Sequence, residues 1–265
     1  MKNVVQSLAK GFRVLEAFDA GYPELTLSQI SGRTGLDTGT VFRLANTLVM
    51  LGYLERVEGS KRYRLTLKVL DLGFNTLGRM EFRDVARPVL RSLVGQINEA
   101  ASIGILDGAD IVYVERVQAG MARLGVDIRI GSRIPAYYTA IGHCILAFLP
   151  KQDARRILNM RERIQITPKT VTSIAQIEAK LAVVRKKGYA FSDRDAAPML
   201  LVLAAPILDD DGHPFAALSV AAPSVHISAK QFVDTAADPL MEAANKIGRA
   251  ISIGGASGLA AGFSA

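Results

Sequence analysis

Cysteine and histidine are scarce in this chain, and their scarcity argues against several classes of function. The 265 residues include one cysteine, Cys144, and three histidines, at positions 143, 213 and 226. One cysteine cannot form an internal disulfide, and no Cys/His spacing of a zinc cluster is present. The histidines stand in no recognisable triad or metal spacing, and no G-x-S-x-G motif occurs. The sequence therefore predicts no enzyme, no metal and no cofactor.

Long apolar runs are also missing. No stretch of about 18 apolar residues predicts a membrane span, and the N-terminus lacks the apolar segment of a signal peptide. We therefore expect a cytoplasmic protein without membrane contact. The acidic residues at 209–211 precede Gly212, and an Asp-Gly pair is more typical of a turn than of a metal site.

The chain is basic, and the distribution of its charge is informative. Its length fits about two domains, 49% of its residues are apolar and its net charge is +7. Residues 1–80 hold eleven basic and seven acidic side chains, whereas residues 81–265 hold 21 and 18. The density of positive charge is thus higher in the first third, which is consistent with nucleic-acid binding there.

Residues 26–68 are the most informative stretch, because they read as a short helix, a turn, a second helix and a basic hairpin. The turn is formed by Gly35 and Leu36, and Asp37 or Thr38 can cap the second helix. That helix buries an apolar stripe, and its opposite face is small and polar, with one arginine and no carboxylate. This pattern predicts a winged helix-turn-helix. The predicted DNA-binding residues are Thr38, Thr40, Arg43, Asn46 and Thr47 on the helix and Lys61, Arg62 and Arg64 on the wing.

Within that set, Arg43, Thr40 and Asn46 are expected to contact base edges, and the basic residues of the wing are expected to hold phosphates. Tyr63 on the wing could stack or simply pack. The alternative is a small helical subdomain whose charges only solvate it.

Several motifs resemble the N-terminal domain of the IclR (isocitrate lyase regulator) family of bacterial transcription factors, and the resemblance continues from residue 5 to about residue 252. It implies an α+β protein with a winged helix-turn-helix domain (1–66), a linker helix (67–81), a GAF/PAS-like effector-binding domain with a central antiparallel sheet (82–253) and a disordered tail (254–265). It also implies homodimers or dimers of dimers, and Phe74, Leu77 and Met80 would suit a dimer contact. The motifs are residues 6–11, 27–30, 34–36, 40–44 and 51–54.

The resemblance also implies a small-molecule effector. A carboxylate would meet backbone amides at the start of a buried helix near 140–143, where the helix dipole favours an anion. Family members that bind small keto acids have polar groups at positions matching 192, 202, 219 and 221, whereas this chain has Val202 and Ala221. Together with Tyr137 and Tyr138 at the pocket mouth, this favours an aromatic acid. The predicted lining is Ile134, Tyr137, Ala140, Ile141, Gly142, Ser192, Leu200, Val202, Ser219 and Ala221.

Two other functions remain open at this point. One is an enzyme on an α+β scaffold, which the absent catalytic motifs disfavour. The other is a DNA-binding regulator without a small-molecule input, controlled by a protein partner. An aliphatic second domain of low charge density argues against it, since such a domain can enclose an apolar pocket.

Overall fold

In a computed structural model of the chain, residues 4–77, 82–118 and 128–253 are described. They divide into two compact units, Met1–Arg79 and Met80–Ala265. Several predicted features lie outside the described residues: Met80 and the side chain of Leu77, the first part of a strand predicted at 125–130, and the tail 254–265. None of the described helices combines the length and apolar character needed to cross a bilayer.

The first unit has a helix-turn-helix and a small antiparallel sheet with strand order β1-β3-β2. Its first helix ends at Leu15, although the apolar residues at 8, 12, 15 and 18 lie near one helical face and predict a helix to about residue 20. The short strand β1 has no such signal in the sequence. Its elements are α1 Gln6–Leu15, β1 Glu24–Thr26, α2 Leu27–Thr34, α3 Thr38–Met50, β2 Leu54–Arg56, β3 Arg62–Leu65 and α4 Val69–Leu77.

Local capping explains where α2 and α3 begin. Thr26 and Gln29 form a capping box, in which each side chain accepts the other's backbone N–H, at 2.9 and 3.3 Å. Gly35 ends α2 with a φ of +68°, a conformation that glycine adopts without steric cost. Asp37 then caps α3 by accepting the Thr40 N–H at 2.8 Å. The turn that separates the two helices is therefore encoded locally.

The second unit is built on a six-stranded antiparallel sheet with strand order β6-β5-β4-β9-β8-β7. Residues 133–135 form its edge strand β6. The elements are α5 Phe82–Ile97, β4 Ala100–Asp107, β5 Asp110–Val117, β6 Arg133–Pro135, a 3-10 turn at Ala136–Tyr138, α6 Ala140–Phe148, α7 Lys151–Leu158, α8 Ile174–Lys187, β7 Ala190–Asp193, β8 Leu200–Leu208, β9 Pro214–Pro223 and α9 Ala229–Ile253.

Helices cover this sheet. Helix α9 contacts β8 and β9, and α5 contacts β4, β5 and α9. Helix α6 packs against β7, β8 and β9, and α8 packs on α6. Successive strand residues face opposite sides, so Val202 and Ala204 of β8 join the α6 core while the buried Leu203 faces away from it. The predicted α+β class with a central antiparallel sheet is confirmed.

Candidate nucleic-acid interface and ligand pocket

The polar face of α3 is exposed, as a groove-reading helix requires. Arg43 is exposed, and its guanidinium donates to Thr40 Oγ1 at 3.4 Å. Thr38 and Thr47 are exposed too, and the Thr47 hydroxyl donates to the Arg43 carbonyl at 3.0 Å. The opposite stripe, with Val41, Ala45 and Leu48, is buried in the core of the first unit. Arg43 is therefore free to reach outward from a helix that is anchored by its other side.

Asn46 has a partner that the sequence analysis missed. Its Oδ1 accepts a hydrogen bond of 2.8 Å from Arg56 of β2. The Arg56 guanidinium carbon also lies 5.6 Å from the centre of the Tyr63 ring. Tyr63 itself is buried, so of the two roles considered for it the structure supports packing. Arg56 is an exposed cation beside α3, and only the pairing of β2 with β3 places it there.

The basic residues of the wing differ in their pairing. Arg64 binds Glu55 through Nε and lies 3.9 Å from Glu24, and the Glu55 hydrogen bond raises the pKa of Arg64. Arg62 lies 4.0 Å from Glu24. Lys61 is exposed at the hairpin turn. A phosphate would therefore compete with carboxylates for Arg64 and meet less competition at Lys61.

Two rows of side chains on the sheet face α6 and carry much of the predicted effector lining. Strand pairing aligns Ser192 of β7 with Val202, Val202 with Ala221, and Ala221 with Ala100. The second row runs from Ala190 through Ala204 and Ser219 to Ser102. Leu200, Ala221 and Ala100 form a buried apolar cluster with Val202 packed against it.

Ser192 is unusual within this surface. The residue is 2% exposed, and its hydroxyl has no hydrogen-bond partner among the described residues. A buried hydroxyl without a partner is costly, which makes such a group a candidate for contact with a ligand. The Ser219 hydroxyl is engaged only weakly, at 3.4 Å from the Ser102 carbonyl. Asp193 points elsewhere, because Arg194 and Lys169 bind its carboxylate and lower its pKa to about 2.

Helix α6 begins at this face. Thr139 caps it by accepting the Gly142 N–H at 3.0 Å, and the first intrahelical bond runs from His143 N–H to the Thr139 carbonyl. The N–H groups of Ala140 and Ile141 precede that bond and have no intrahelical acceptor. Ala140, Ile141 and Gly142 are all buried, and Ile134 of β6 is half-buried against the same core.

Tyr137 does not lie at a pocket mouth, contrary to the expectation. It is 4% exposed and belongs to the core. Its hydroxyl donates to the Ile164 carbonyl at 2.6 Å and accepts the Ile164 N–H at 2.9 Å. Tyr138 is half-buried and meets the Tyr137 ring edge-on, with 4.8 Å between the ring centres. The phenol of Tyr137 is therefore used to hold a loop.

The acidic turn between β8 and β9 is explained by its hydrogen bonds. Asp209 accepts the N–H groups of Asp211 and His213 at 3.0 and 2.7 Å, and Gly212 has a φ of +77°. One oxygen or nitrogen atom from each of Asp209, Asp211 and His213 lies within 4.8 Å of those of the other two. The backbone bonds nevertheless give Asp209 the turn role that the Asp-Gly pattern predicts.

Two models of one protein family together match most of the chain. The model for the C-terminal part of the bacterial transcriptional regulator IclR matches residues 74–249, and that for the IclR helix-turn-helix domain matches residues 7–58. The chain belongs to the IclR family. It is a transcriptional regulator and not an enzyme, with a helix-turn-helix domain for DNA and a C-terminal domain for an effector.

Individual IclR relatives cover most of the chain. The Pca regulon regulatory protein of Pseudomonas putida is 34% identical over 83% of this chain and 74% of its own length. The regulator KdgR of Escherichia coli is 32% identical over 92% of this chain and 91% of its own. A crystal structure of an IclR homolog from Microbacterium hydrocarbonoxydans, complexed with 4-hydroxybenzoate, is 25% identical and covers 92% of this chain and 98% of that one, with a TM-score of 0.78.

Sequence reasoning about the IclR site missed the residues that neighbouring strands contribute. Ser102 and Ala100 of β4 lie beside Ser219 and Ala221, and the Arg116 guanidinium donates to Ser102 Oγ at 2.8 Å. The alternation of β4 gives a weak signal for Ser102, but the sequence does not reveal that β4 pairs with a strand more than 100 residues away.

Proposed function

We propose that this IclR-type regulator reads operator DNA with the exposed face of α3. Its affinity for that DNA changes when an aromatic carboxylate binds in the second unit. The DNA contacts of the proposal are Arg43 with Thr40 and Asn46 for base edges, and Lys61 with Arg62 and Arg64 for phosphates. The central observation for DNA is that Arg43 projects from an anchored helix and forms no ion pair with a carboxylate of the described residues. An arginine in that position can make two hydrogen bonds to a guanine edge.

The effector proposal is carried by the Ser192 hydroxyl. That group is buried, the described part of the chain offers it no partner, and it lies beside an apolar row on the sheet face where α6 begins. Such a surface offers apolar contact to a ring and a hydrogen bond to a ligand oxygen, while first-turn amides favour an anion. Two relatives support an aromatic ligand by their descriptions, one bound to 4-hydroxybenzoate and one governing the Pca regulon. No observation favours control by a protein partner instead.

The proposal includes a homodimer. Leu8 and Phe12 of α1 and Leu70 and Phe74 of α4 are exposed apolar side chains of the first unit, between 48% and 61% exposed. Exposed apolar patches of this kind mark association surfaces. A dimer would present two recognition helices to major grooves about one DNA turn apart, roughly 34–36 Å.

One experiment tests both parts. Duplexes that bind the protein are selected from a random pool, and binding of the enriched sequence is measured with and without 4-hydroxybenzoate. We expect Arg43→Ala to lose the preference for the enriched sequence while weak nonspecific binding persists, and Arg91→Ala, an exposed arginine of α5, to behave as wild type. We expect Ser192→Ala to need about tenfold more ligand for the same response, with Ser92→Ala as its control.

The DNA part and the effector part of the proposal can be contradicted independently. Normal sequence preference in Arg43→Ala would remove the role of α3. Equal ligand response in Ser192→Ala and wild type, or no response to any member of a panel of aromatic acids, would remove the proposed pocket and leave the DNA assignment intact.

A further inference from the structure

A second cavity lies outside the effector surface, along the side of α8. It has a volume of about 470 Å³ and contains none of the residues of the predicted effector lining. That volume is within the range of small-molecule sites. Six of its lining residues belong to α8, His143 belongs to α6, and residues 189 and 191 lie at the start of β7. The lining consists of His143, Gln176, Ala179, Lys180, Val183, Val184, Lys187, Tyr189 and Phe191.

The α8 wall is a single helical face. Gln176, Ala179, Lys180, Val183 and Lys187 recur at helical spacing, so they share one side of the helix. This side is adjacent to the one that buries residues 177, 181 and 184 against the core. It presents aliphatic surface between two lysines whose backbones are about 10 Å apart along the helix axis, and Val183 is 52% exposed.

The opposite wall is the open edge of the six-stranded sheet. Strand β7 is the last strand in the order, and the Arg194 N–H donates to the Leu200 carbonyl of β8. Hydrogen bonding to the neighbour alternates along an antiparallel strand, so residues 190 and 192 also bond to β8 and the backbone of Phe191 faces outward. The cavity therefore has backbone N–H and C=O groups on this side, with Tyr189 next to them. The side chain of Phe191, which pairs with Leu203, faces away from α6.

His143 supplies the most specific group. It is 3% exposed, and its Nε2 lies 2.7 Å from the Tyr137 carbonyl. A carbonyl can only accept, so Nε2 carries a proton, and burial lowers the pKa of His143, which favours the neutral ring. Nδ1 then holds a lone pair, and the described residues offer it no hydrogen-bond partner. Because His143 lines the cavity, this nitrogen is an acceptor that a hydroxyl group of a ligand can satisfy.

The charges at the rim are positive. Lys180 binds the nearly buried Asp195 at 3.1 Å and lies close enough to His143 to act on its charge. Lys187 is exposed, with its ammonium 5.8 Å from the Tyr189 ring centre. No carboxylate is among the lining residues, and Asp195 is committed to Lys180. The rim therefore favours an anionic group, which Lys187 can meet without breaking an ion pair.

We propose that this groove is a second small-molecule site, which takes an aromatic carboxylate that carries a hydroxyl group. The hydroxyl donates to His143 Nδ1, the ring packs against Val183 and Tyr189, and the carboxylate pairs with Lys187. The site is independent of the effector surface around Ser192 and of DNA binding.

The test is calorimetric titration of the full chain with 4-hydroxybenzoate and, separately, with benzoate, which lacks the hydroxyl. Val183→Trp fills the groove, and Ala182→Trp is its control, because residue 182 is exposed on another side of α8. Lys187→Glu opposes the carboxylate, and Lys186→Glu is the control with the same charge change. The expected dissociation constant at the groove is roughly 0.1–1 mM for a ligand of about ten non-hydrogen atoms.

We expect Val183→Trp to bind one equivalent of 4-hydroxybenzoate per chain fewer than wild type. We expect Lys187→Glu to lower the affinity of the groove for that ligand at least about tenfold. Both controls should bind as wild type, and benzoate should bind the groove more weakly. Equal stoichiometry in Val183→Trp and Ala182→Trp overturns the proposal, as does equal groove binding by benzoate, or a wild-type chain whose only binding is lost in Ser192→Ala. A concentration-dependent self-association that Val183→Trp abolishes would assign the groove to a second copy and overturn it too.

Discussion

Among single residues, Gly142 has the strictest steric requirement. A Cβ atom added there would lie 2.0 Å from the Ala136 carbonyl oxygen and 2.5 Å from the Ala136 Cα, and both are backbone atoms that cannot rotate away. We expect Gly142→Ala to lower the free energy of unfolding by about 2 kcal/mol or more, as overpacking does elsewhere. Gly95→Ala is the control, because nothing lies within 4 Å of its added Cβ in α5.

That control should be neutral or stabilising by about 0.5–1 kcal/mol, since alanine is the better helix former. Urea unfolding of the two variants measures the difference. Comparable midpoints for Gly142→Ala and Gly95→Ala would show that the turn before α6 can move away from the helix.

Some residues of the candidate sites could be predicted from the sequence and others could not. The exposed Arg43 and the buried Ser192 follow from helical spacing and from the family resemblance. The role of Tyr137 does not, because its hydroxyl binds Ile164, 27 residues further on, in a loop without periodic pattern. Arg56 was missed for a similar reason, since its contact with Asn46 depends on how β2 docks beside α3.

At the scale of elements, the beginning of α3 depends on an ionised carboxylate. Hydrogen bonds from Thr40, through its side chain and its backbone, hold the pKa of Asp37 below the ordinary 3.8. A group with a lowered pKa in the folded state stabilises the fold above its unfolded pKa and loses that contribution as the pH falls through the folded one. We therefore expect the cap to weaken only in the acid range, below about pH 4.

Asp37→Asn isolates this effect, because asparagine caps helices comparably and does not titrate. The measurement is the difference in urea midpoint between wild type and variant, from neutral pH to about pH 3. We expect the difference to shift in favour of the variant as the pH falls, whereas a difference that is constant with pH would deny the carboxylate its role. Helix α2, capped by Thr26 and Gln29, should show no such dependence.

Elements with strong local signals were predicted well and those without were not. Helices α2 and α3 begin at caps formed by residues adjacent in the sequence, so the order of helix, turn and helix could be predicted. Strand β1 has three residues after Pro23 and exists because β3 pairs with it, which no local pattern shows. Strand β6 is equally short and is held by β5. The sheet order, with β4 beside β9, depends on long-range packing of α5, α6 and α9 and not on any single strand.

At the scale of the whole molecule, the exposed apolar rows of α1 and α4 predict self-association. Leu8 and Phe12 are 61% and 50% exposed, and Leu70 and Phe74 are 48% and 60% exposed, with each pair four residues apart on one helical face. If a second copy covers these rows, replacing Phe12 and Phe74 with serine should weaken the dimer at least about a hundredfold, because each ring would lose about 1.5–3 kcal/mol of burial. Sedimentation equilibrium measures the dissociation constant of the dimer directly.

Val225→Ser is the matched control, since that residue is 63% exposed on the second unit and should leave association unchanged. Wild-type-like assembly of the double variant would place the dimer contact elsewhere, while a monomeric variant that still binds single half-sites would tie these rows to the pairing of two recognition helices on one operator.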